Sequence, residues 1–215
     1  LDAAYLSRFF HTPQYWGYIT DNLAGNAQPE WIPLRDKSFF TERDIRILRS
    51  DVKTIDFKSR RIAHGAGKET WTEMPFDALI LATGAEPIRL KLEGSGPPVF
   101  YLRSLADSDA IIAAAAGAKR VAVLGASFIG LEVAASLRTR GLEVHVAAPE
   151  ARPLERILGP QLGDFIKSLH ESKGVVFHLG RMAKSLAPGK LVLDDGSTID
   201  CDFIVAGVGV RPRLA

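Results

Sequence analysis

The chain has 215 residues, of which 47% are hydrophobic and 24% are charged, an ordinary composition for one large or two small globular domains. It excludes collagen-like, coiled-coil or disordered structure for the chain as a whole, and the formal net charge of +2 is too small to indicate a nucleic-acid partner. The longest helix-like apolar run, 110–118, is far shorter than the roughly 20 residues that span a bilayer, so we expect no membrane segment.

The chain contains one cysteine, Cys201, so no disulfide can form within it. A reducing compartment is consistent with this, and we expect a cytoplasmic location. We expect Cys201 itself to be a small core residue, because it precedes an apolar strand. Residues 1–11 lack a basic region followed by an apolar core and do not indicate a secretory signal. Because the sequence begins with Leu rather than Met, we expect a fragment, a processed product or an incompletely reported chain.

The first hundred residues combine many aromatic side chains with short predicted elements. In chain order these are a helix (36–43), a strand (45–48), a hairpin (52–57 and 61–64) and a fully apolar strand (78–82). The glycine and proline residues of 94–98 indicate a linker.

From about residue 104, strands and helices alternate, which is typical of parallel βαβ units. The predicted elements are a helix (104–116), a strand (120–124), a helix (126–140), a strand (142–147), an amphipathic helix around Leu162, Phe165, Ile166 and Leu169, a strand (175–179), two short strands around 183 and 191–193, and a strand (203–206). We therefore expect an α/β fold with a Rossmann-like domain, in which a parallel sheet is accompanied by a small antiparallel meander.

The strongest local signal is the segment 125–130, GASFIG, which follows an apolar strand and opens a helix. Gly125 suits a tight strand-to-helix turn, and Gly130 allows the helix to pack closely on the strand. Ser127 replaces the middle glycine of the G-x-G-x-x-G pattern and leaves room for a phosphate. The turn predicts binding of a dinucleotide pyrophosphate at the positive helix end. The alternative is a glycine-rich turn in a domain that binds no ligand.

An acidic residue that contacts ribose is expected roughly 20 residues past this motif. The expected position is near Ala148, which is not acidic, but Glu150 follows shortly after it. Glu150 is either a ribose ligand or an exposed loop glutamate. Arg152 and Arg156 are close enough in sequence to meet a 2′-phosphate, so the choice between NADH and NADPH stays open.

Glu132 lies in the first turns of the predicted helix 126–140, where an acid is favoured by the helix dipole alone. The functional alternative is a hydrogen bond to a nicotinamide carboxamide. The five histidines show no metal-ligand spacing, and His145 and His178 are predicted to be structural residues within strands. No nucleophile elbow of the G-x-S-x-G type is present.

Four segments together resemble a known family. They are 22–35 (NLAGNAQPEWIPLR), 76–87 (FDALILATGAEP), 125–132 (GASFIGLE) and 202–212 (DFIVAGVGVRP). The last three resemble the flavin-dependent pyridine nucleotide–disulfide oxidoreductase superfamily. The first resembles ferredoxin and rubredoxin reductases, particularly the apoptosis-inducing-factor-like branch that is often linked to Rieske domains.

The resemblance implies an enzyme that passes electrons from NAD(P)H through FAD to a ferredoxin or Rieske-type iron–sulfur protein. It implies that Gly125, Ser127 and Gly130 hold the NAD pyrophosphate and that Glu132 holds the carboxamide. The remaining implied cofactor contacts are Ala126, Phe128 and Ile129 in the same fingerprint, Gly207, Val208 and Gly209 beside the nicotinamide, and Ala82, Thr83 and Gly84 along the FAD. No catalytic residue, metal ligand, nucleic acid or membrane partner is implied, and the oligomeric state is left open.

The sequence also departs from the family pattern. No first G-x-G-x-x-G for FAD precedes Asn22, a usual lysine is missing just before it, and the later flavin contact and interface domain would follow Ala215. We therefore expect a partial FAD-binding domain over 1–103 and an NAD(P)-binding domain over 104–215. We expect that FAD belongs to the full-length parent and is not retained by this chain. The alternative function is an isolated NAD-binding module without redox activity.

Overall fold

A computed structural model describes residues 3–7, 16–31, 33, 35–65 and 71–213 of the chain. The strands are β1 (Ala3–Ser7), β2 (Ile45–Arg49), β3 (Asp51–Asp56), β4 (Arg61–Gly65), β5 (Thr72–Pro75), β6 (Ala85–Pro87), β7 (Glu93–Gly94), β8 (Val99–Tyr101), β9 (Arg120–Leu124), β10 (Glu143–Ala148), β11 (Val175–Leu179), β12 (Ala183–Ala187), β13 (Lys190–Leu193), β14 (Thr198–Asp200), β15 (Phe203–Ala206) and β16 (Val210–Pro212). The helices are α1 (Trp16–Ala24), α2 (Lys37–Thr41), α3 (Leu105–Ala115), α4 (Phe128–Thr139) and α5 (Glu155–Ser172). None of these helices is long and apolar enough to cross a membrane.

The chain divides into two compact units. The smaller unit contains Leu1–Trp16 and Pro29–Ala82, and the larger unit contains Gly17–Gln28 and Thr83–Ala215. The larger unit is therefore built from two separate stretches of sequence. The predicted division into nucleotide-binding domains at residue 103 stays a prediction.

The smaller unit contains a two-stranded parallel sheet, β1–β2, and a three-stranded antiparallel sheet, β3–β4–β5. Helix α2 begins at Asp36, whose carboxylate accepts the Phe39 N–H at 3.0 Å. The β3–β4 hairpin turns where the Asp56 carboxylate accepts the N–H groups of Lys58 and Ser59. The predicted helix, strand and hairpin of this region are confirmed.

Residues 78–82 do not form a strand, and this prediction is wrong. Ile80 is 90% exposed and Leu81 is 57% exposed. A fully apolar strand is typical of a sheet position with a neighbour on both sides. Among the described residues, no strand pairs with this segment.

The larger unit is organised around a parallel sheet of five strands in the order β11-β10-β9-β15-β8. Every residue of β15 and Val121–Leu124 of β9 are buried, because these all-apolar strands occupy the middle of the sheet. The four predicted parallel strands are confirmed, and so is the α/β, Rossmann-like fold class. The three-residue edge strand β8 was not predicted.

Helices α1, α3 and α4 pack together in the larger unit. Ser104 is the N-cap residue of α3 and forms a capping box with Asp107. The Ser108 hydroxyl donates to the Asn22 side-chain oxygen at 3.0 Å, and the Ser136 hydroxyl donates to the Thr20 carbonyl at 3.1 Å. These buried polar contacts attach α1 to the larger unit.

The predicted antiparallel meander is also present in the larger unit, as strands β12, β13 and β14. Strand β7 adds to it in parallel with β12. A β-carbon at Gly94 would lie 2.3 Å from the Leu186 carbonyl oxygen, and one at Gly96 would lie 2.5 Å from the Ala187 carbonyl oxygen. The interpretation of 94–98 as a linker is therefore wrong, because the segment packs inside one unit.

Helix α5 confirms the predicted helix but exposes most of its apolar side chains. Leu162, Phe165 and Leu169 are 51%, 64% and 48% exposed. The helix bends at Gly159, whose φ is 77°, just before Pro160. It approaches its own preceding loop through the buried Gly163 instead, where a β-carbon would lie 2.9 Å from the Pro153 carbonyl oxygen.

Candidate functional site

Three parallel strands of the larger unit end at the same edge of the sheet. Leu124 of β9 is in register with Ala147 of β10 and with Ala206 of β15. The loops that follow these strands therefore meet, which is the usual place of a ligand site in an open α/β sheet. They surround a cleft of about 270 Å³, lined by Gly125, Ala126, Ser127, Pro149, Glu150, Leu154, Glu155, Arg156, Ile157, Gly207, Val208 and Gly209.

Three glycines pack closely at the base of the cleft, and two of them, Gly125 and Gly207, line it. Gly125 has φ +102°, and a β-carbon there would lie 2.6 Å from the Gly207 carbonyl oxygen. A β-carbon at Gly130 would lie 2.0 Å from the Gly125 carbonyl oxygen. The roles predicted for Gly125 and Gly130 in a tight turn and a close approach are confirmed, and Gly207 supplies the third surface of the same contact.

The N-terminus of α4 opens onto this base of the cleft. Its N-cap residue, Ser127, makes no capping hydrogen bond within the described structure. The Ser127 hydroxyl instead donates to the Gly207 carbonyl at 3.3 Å. The first N–H groups of a helix have no partner inside the helix and carry partial positive charge. This arrangement fits a phosphate group, which needs backbone donors and close approach without a β-carbon at Gly125.

The second side of the cleft is a loop with fixed attachments. The Glu150 carbonyl accepts the Gly180 N–H at 3.0 Å, and the Leu154 N–H donates to the Ala126 carbonyl at 3.0 Å. Arg152 bonds to the Asp164 carboxylate at 2.7 Å. The hydrogen bond and charge of Asp164 raise the pKa of Arg152. The loop is thereby held against the glycine turn.

Two opposite charges from this loop face the cleft. The side chain of Glu150 is 29% exposed, and its carboxylate lies 4.0 Å from the Arg156 guanidinium, which is 84% exposed. Arg152 does not line the cleft, because Asp164 and Glu155 hold its guanidinium. Of the two arginines that the sequence offers for a 2′-phosphate, the structure brings Arg156 to the cleft.

Several residues predicted to contact the cofactors line the cleft: Gly125, Ala126, Ser127, Glu150, Gly207, Val208 and Gly209. Others lie beside it on α4: Phe128 exposed at the first turn, Ile129 half-buried, Gly130 buried under the turn, and Glu132 exposed. Their roles as ligands of a nucleotide stay predictions.

Ala82, Thr83 and Gly84, predicted to run past FAD, are not among the residues that line the cleft. The Thr83 hydroxyl donates to the Arg213 carbonyl at 2.6 Å, and the Arg213 N–H donates to the Gly84 carbonyl at 3.0 Å. Thr83 and Gly84 therefore lie beside the end of β16. Their role as flavin contacts stays a prediction.

Four residues that no motif predicted also line the cleft: Pro149, Leu154, Glu155 and Ile157. Leu154 turns the loop with φ 53°, and the bend at Gly159 follows it. The one feature of the sequence that could have indicated a role in the site is position, because the segment 151–157, ARPLERI, lies shortly after the second strand of the βαβ unit.

Away from the cleft, the interpretations of His145, His178 and Cys201 as structural residues are confirmed. His145 Nδ1 and His178 Nε2 share a hydrogen bond of 3.0 Å, and His145 Nε2 lies 2.8 Å from the Glu143 carboxylate. Cys201 is 1% exposed, and burial raises the pKa of its thiol to about 11. The described residues contain no cluster of three or more His, Cys, Asp or Glu that could hold a metal ion.

Comparison with known proteins adds to this geometry. Residues 14–215 match the profile of the pyridine nucleotide-disulphide oxidoreductase family. The chain belongs to this family. The predicted resemblance is thus confirmed, and proteins of the family use FAD together with NAD(H) or NADP(H).

Three relatives illustrate the match. The chain is 32% identical to a monodehydroascorbate reductase of Arabidopsis thaliana, with 86% of this chain and 37% of that protein covered. It is 33% identical to a rubredoxin-NAD(+) reductase of Pseudomonas putida, with 92% and 51% covered. It superposes with a TM-score of 0.90 on a ferredoxin reductase from Rhodopseudomonas palustris at 31% identity, with 99% and 53% covered. The chain therefore spans about half the length of the relatives it matches, or less.

Proposed function

We propose that the cleft of the larger unit binds NAD(H), with the dinucleotide pyrophosphate at the N-terminus of α4. The observation that carries this proposal is the close packing of Gly125, Gly130 and Gly207 at a helix start whose N-cap residue, Ser127, makes no capping hydrogen bond within the described structure. Backbone N–H groups at such a position bind phosphate oxygens. Among the described residues that line the cleft there is no lysine and Arg156 is the one arginine, so in the proposed complex backbone N–H groups hold the pyrophosphate.

The other contacts of the dinucleotide follow from the positions of the loops. In the proposed complex, Glu150 accepts a hydrogen bond from the adenosine ribose, as an acid after the second strand does in Rossmann folds. Gly207, Val208 and Gly209 line the nicotinamide end, and Glu132 holds the carboxamide. Phe128 and Ile129 flank the pyrophosphate in the first turn of α4.

For the parent protein we propose an NAD(P)H-dependent reductase of an iron–sulfur protein. Bound FAD would accept hydride from the nicotinamide and release electrons one at a time. A ferredoxin- or rubredoxin-type acceptor is supported by the names of two relatives and by the resemblance of 22–35. A Rieske-type acceptor is a finer version of the same proposal. We also propose a cytoplasmic location, since Cys201 is the one cysteine of the sequence.

A second candidate is a nucleotide-binding module that holds no flavin. It is favoured by the segment 78–82, which was predicted to form an apolar strand. Ile80 and Leu81 are largely exposed there, and the segment pairs with no described strand. Bound flavin colours a protein yellow, and NADH binding is measured separately, so one preparation distinguishes the two candidates. A colourless protein that binds NADH supports the module, and a yellow one supports the reductase.

Calorimetric titration of the purified chain with NADH tests the site that both candidates share. We expect saturable binding at one nucleotide per chain. Titration with FAD after removal of endogenous flavin then shows whether a second cofactor binds. Absence of any heat or fluorescence change with NADH and with NADPH would contradict the proposed site.

A further inference from the structure

One residue in the wall of the cleft has a backbone conformation that its side chain disfavours. Leu154 has φ 53° and ψ 19°, in the left-handed region that residues other than glycine rarely adopt. It is 8% exposed and lines the cleft just before α5. Asp44 and Arg60 also have a positive φ, but neither of them lines the cleft. Strained backbone is concentrated at ligand sites, so Leu154 is a candidate for a role in this one.

The left-handed turn lets the backbone of Leu154 bond to two different elements. Its carbonyl accepts the N–H groups of Ile157 and Leu158, both at 2.9 Å, and these bonds begin α5. Its own N–H donates to the Ala126 carbonyl at 3.0 Å, in the glycine turn before α4. In the described part of the chain, this bond joins the backbone of the loop before α5 to the backbone of the glycine turn.

The bond to Ala126 also fixes the direction of the next N–H group. In a trans peptide, the carbonyl of one residue and the N–H of the following residue point in opposite directions. Because the Ala126 carbonyl is directed toward Leu154, the Ser127 N–H is directed to the other side. Both Ala126 and Ser127 line the cleft, and no hydrogen bond among the described residues uses the Ser127 N–H. The turn therefore presents an unused donor to the cleft.

We infer that Leu154 is a positioning residue, which holds the peptide between Ala126 and Ser127 with its N–H group toward the dinucleotide pyrophosphate. This inference rests on the proposed binding of NAD(H) in the cleft, and it adds a residue from outside the glycine motif. The physical reason is the sign of the charge that the phosphate meets. If this peptide turned over, the partial negative charge of the Ala126 oxygen would replace the partial positive charge of the Ser127 N–H.

The test removes the Leu154 N–H and keeps the side chain. In Leu154→leucic acid, made in the full chain by nonsense suppression, the α-hydroxy acid replaces the N–H with an ester oxygen. The matched control is Leu158→leucic acid, because the Leu158 N–H donates to the Leu154 carbonyl at 2.9 Å and Leu158 does not line the cleft. Both variants lose one backbone hydrogen bond of similar length, but only the first loses the bond to the glycine turn.

Calorimetric titration with NADH measures the affinity of each protein, and the amide signal of Ser127 in nitrogen-15 NMR spectra reports on the peptide itself. In the unmodified chain we expect NADH to shift the Ser127 amide proton downfield, as a new hydrogen bond to phosphate does. Leu154→leucic acid should bind NADH about three- to tenfold more weakly, the effect of losing one hydrogen bond, and should show a smaller Ser127 shift. Leu158→leucic acid should keep both the affinity and the shift.

The outcomes separate this inference from the proposed function. The role of Leu154 is overturned, while the nucleotide site stands, if folded Leu154→leucic acid binds NADH as the unmodified chain does, or if the control loses as much affinity. It is also overturned if the unmodified chain binds NADH without a shift of the Ser127 amide proton, a result that needs no variant. If the unmodified chain binds neither NADH nor NADPH, the proposed function is overturned and this inference falls with it. Circular dichroism of each variant confirms that it is folded.

Discussion

At the scale of single residues, the site depends on glycines for two different reasons. Gly125 has a backbone conformation, φ +102°, that residues with a side chain rarely adopt. Gly130 and Gly207 are instead required by distance, because a β-carbon added at either would lie 3.1 Å or less from backbone atoms. The motif 125–130 made the first two predictable. Gly207 was expected beside the nicotinamide, but its contact under the turn depends on the pairing of β15 with β9, which no local pattern shows.

We therefore predict that Gly125→Ala weakens NADH binding about ten- to hundredfold, because strain of roughly 1–3 kcal/mol must be relieved by moving the turn that holds the phosphate. Gly117→Ala is the matched control, since Gly117 lies in the same unit with open space around its α-carbon. Ser127→Gly should change little, because it restores the usual fingerprint. Calorimetric titration measures all three, and full NADH affinity in a folded Gly125→Ala protein would contradict the assignment.

At the scale of elements, short apolar runs predicted strands correctly where the run pairs with neighbouring strands in a sheet. Strands β9, β11 and β15 lie at the predicted residues because each run is bounded by turn residues and enters one parallel sheet. The run 78–82 has the same local pattern but pairs with no described strand. Burial of a strand depends on its neighbours, which local sequence does not contain. The arrangement of the loop before α5 was unpredictable for a similar reason, as it rests on the bond between Arg152 and Asp164.

The strand pair β10–β11 gives a prediction about pH. Burial, and then the nearby charge of His145, lowers the pKa of His178, and burial lowers the pKa of His170 on α5. A base with a lowered pKa in the folded state takes up protons first in the unfolded state. The free energy of unfolding should therefore fall as the pH drops below the ordinary histidine pKa of about 6.5, until the folded-state pKa values are reached.

Urea unfolding between pH 8 and pH 5 measures this slope. His178→Gln should make this slope smaller, because it removes one of the two histidines with a lowered pKa. His64→Gln in the smaller unit is the matched control, and it should keep the decline because His170 and His178 remain. A slope of opposite sign between pH 7 and pH 5.5, traced to His178 by the variant, would show that the shared hydrogen bond of His145 and His178 favours the charged form.

At the scale of the whole molecule, each compact unit is built from two separate stretches of the sequence. Helix α1 belongs to the larger unit although about fifty residues of the smaller unit follow it. Leu23 of α1 is fully buried. The hydroxyls of Ser108 and Ser136 donate hydrogen bonds to oxygen atoms of α1. The change of character near residue 104 predicted two domains, and that division stays a prediction. The return of residues 17–28 was not predictable, because it depends on contacts across more than eighty residues.

The position of α1 gives the last prediction. Leu23→Ala should destabilise the larger unit by about 2–5 kcal/mol, the usual cost of a cavity at a fully buried leucine. Leu81→Ala is the control, because Leu81 is 57% exposed and should change stability little. Since a ligand stabilises the unit that binds it, thermal unfolding with and without NADH identifies the transition of the larger unit. We expect Leu23→Ala to lower the temperature of the same unfolding transition whose temperature NADH raises. If Leu23→Ala lowers the temperature of a transition that NADH does not shift, then α1 does not belong to the core of the nucleotide-binding unit. Residues 17–28 would then have to be excluded from that unit.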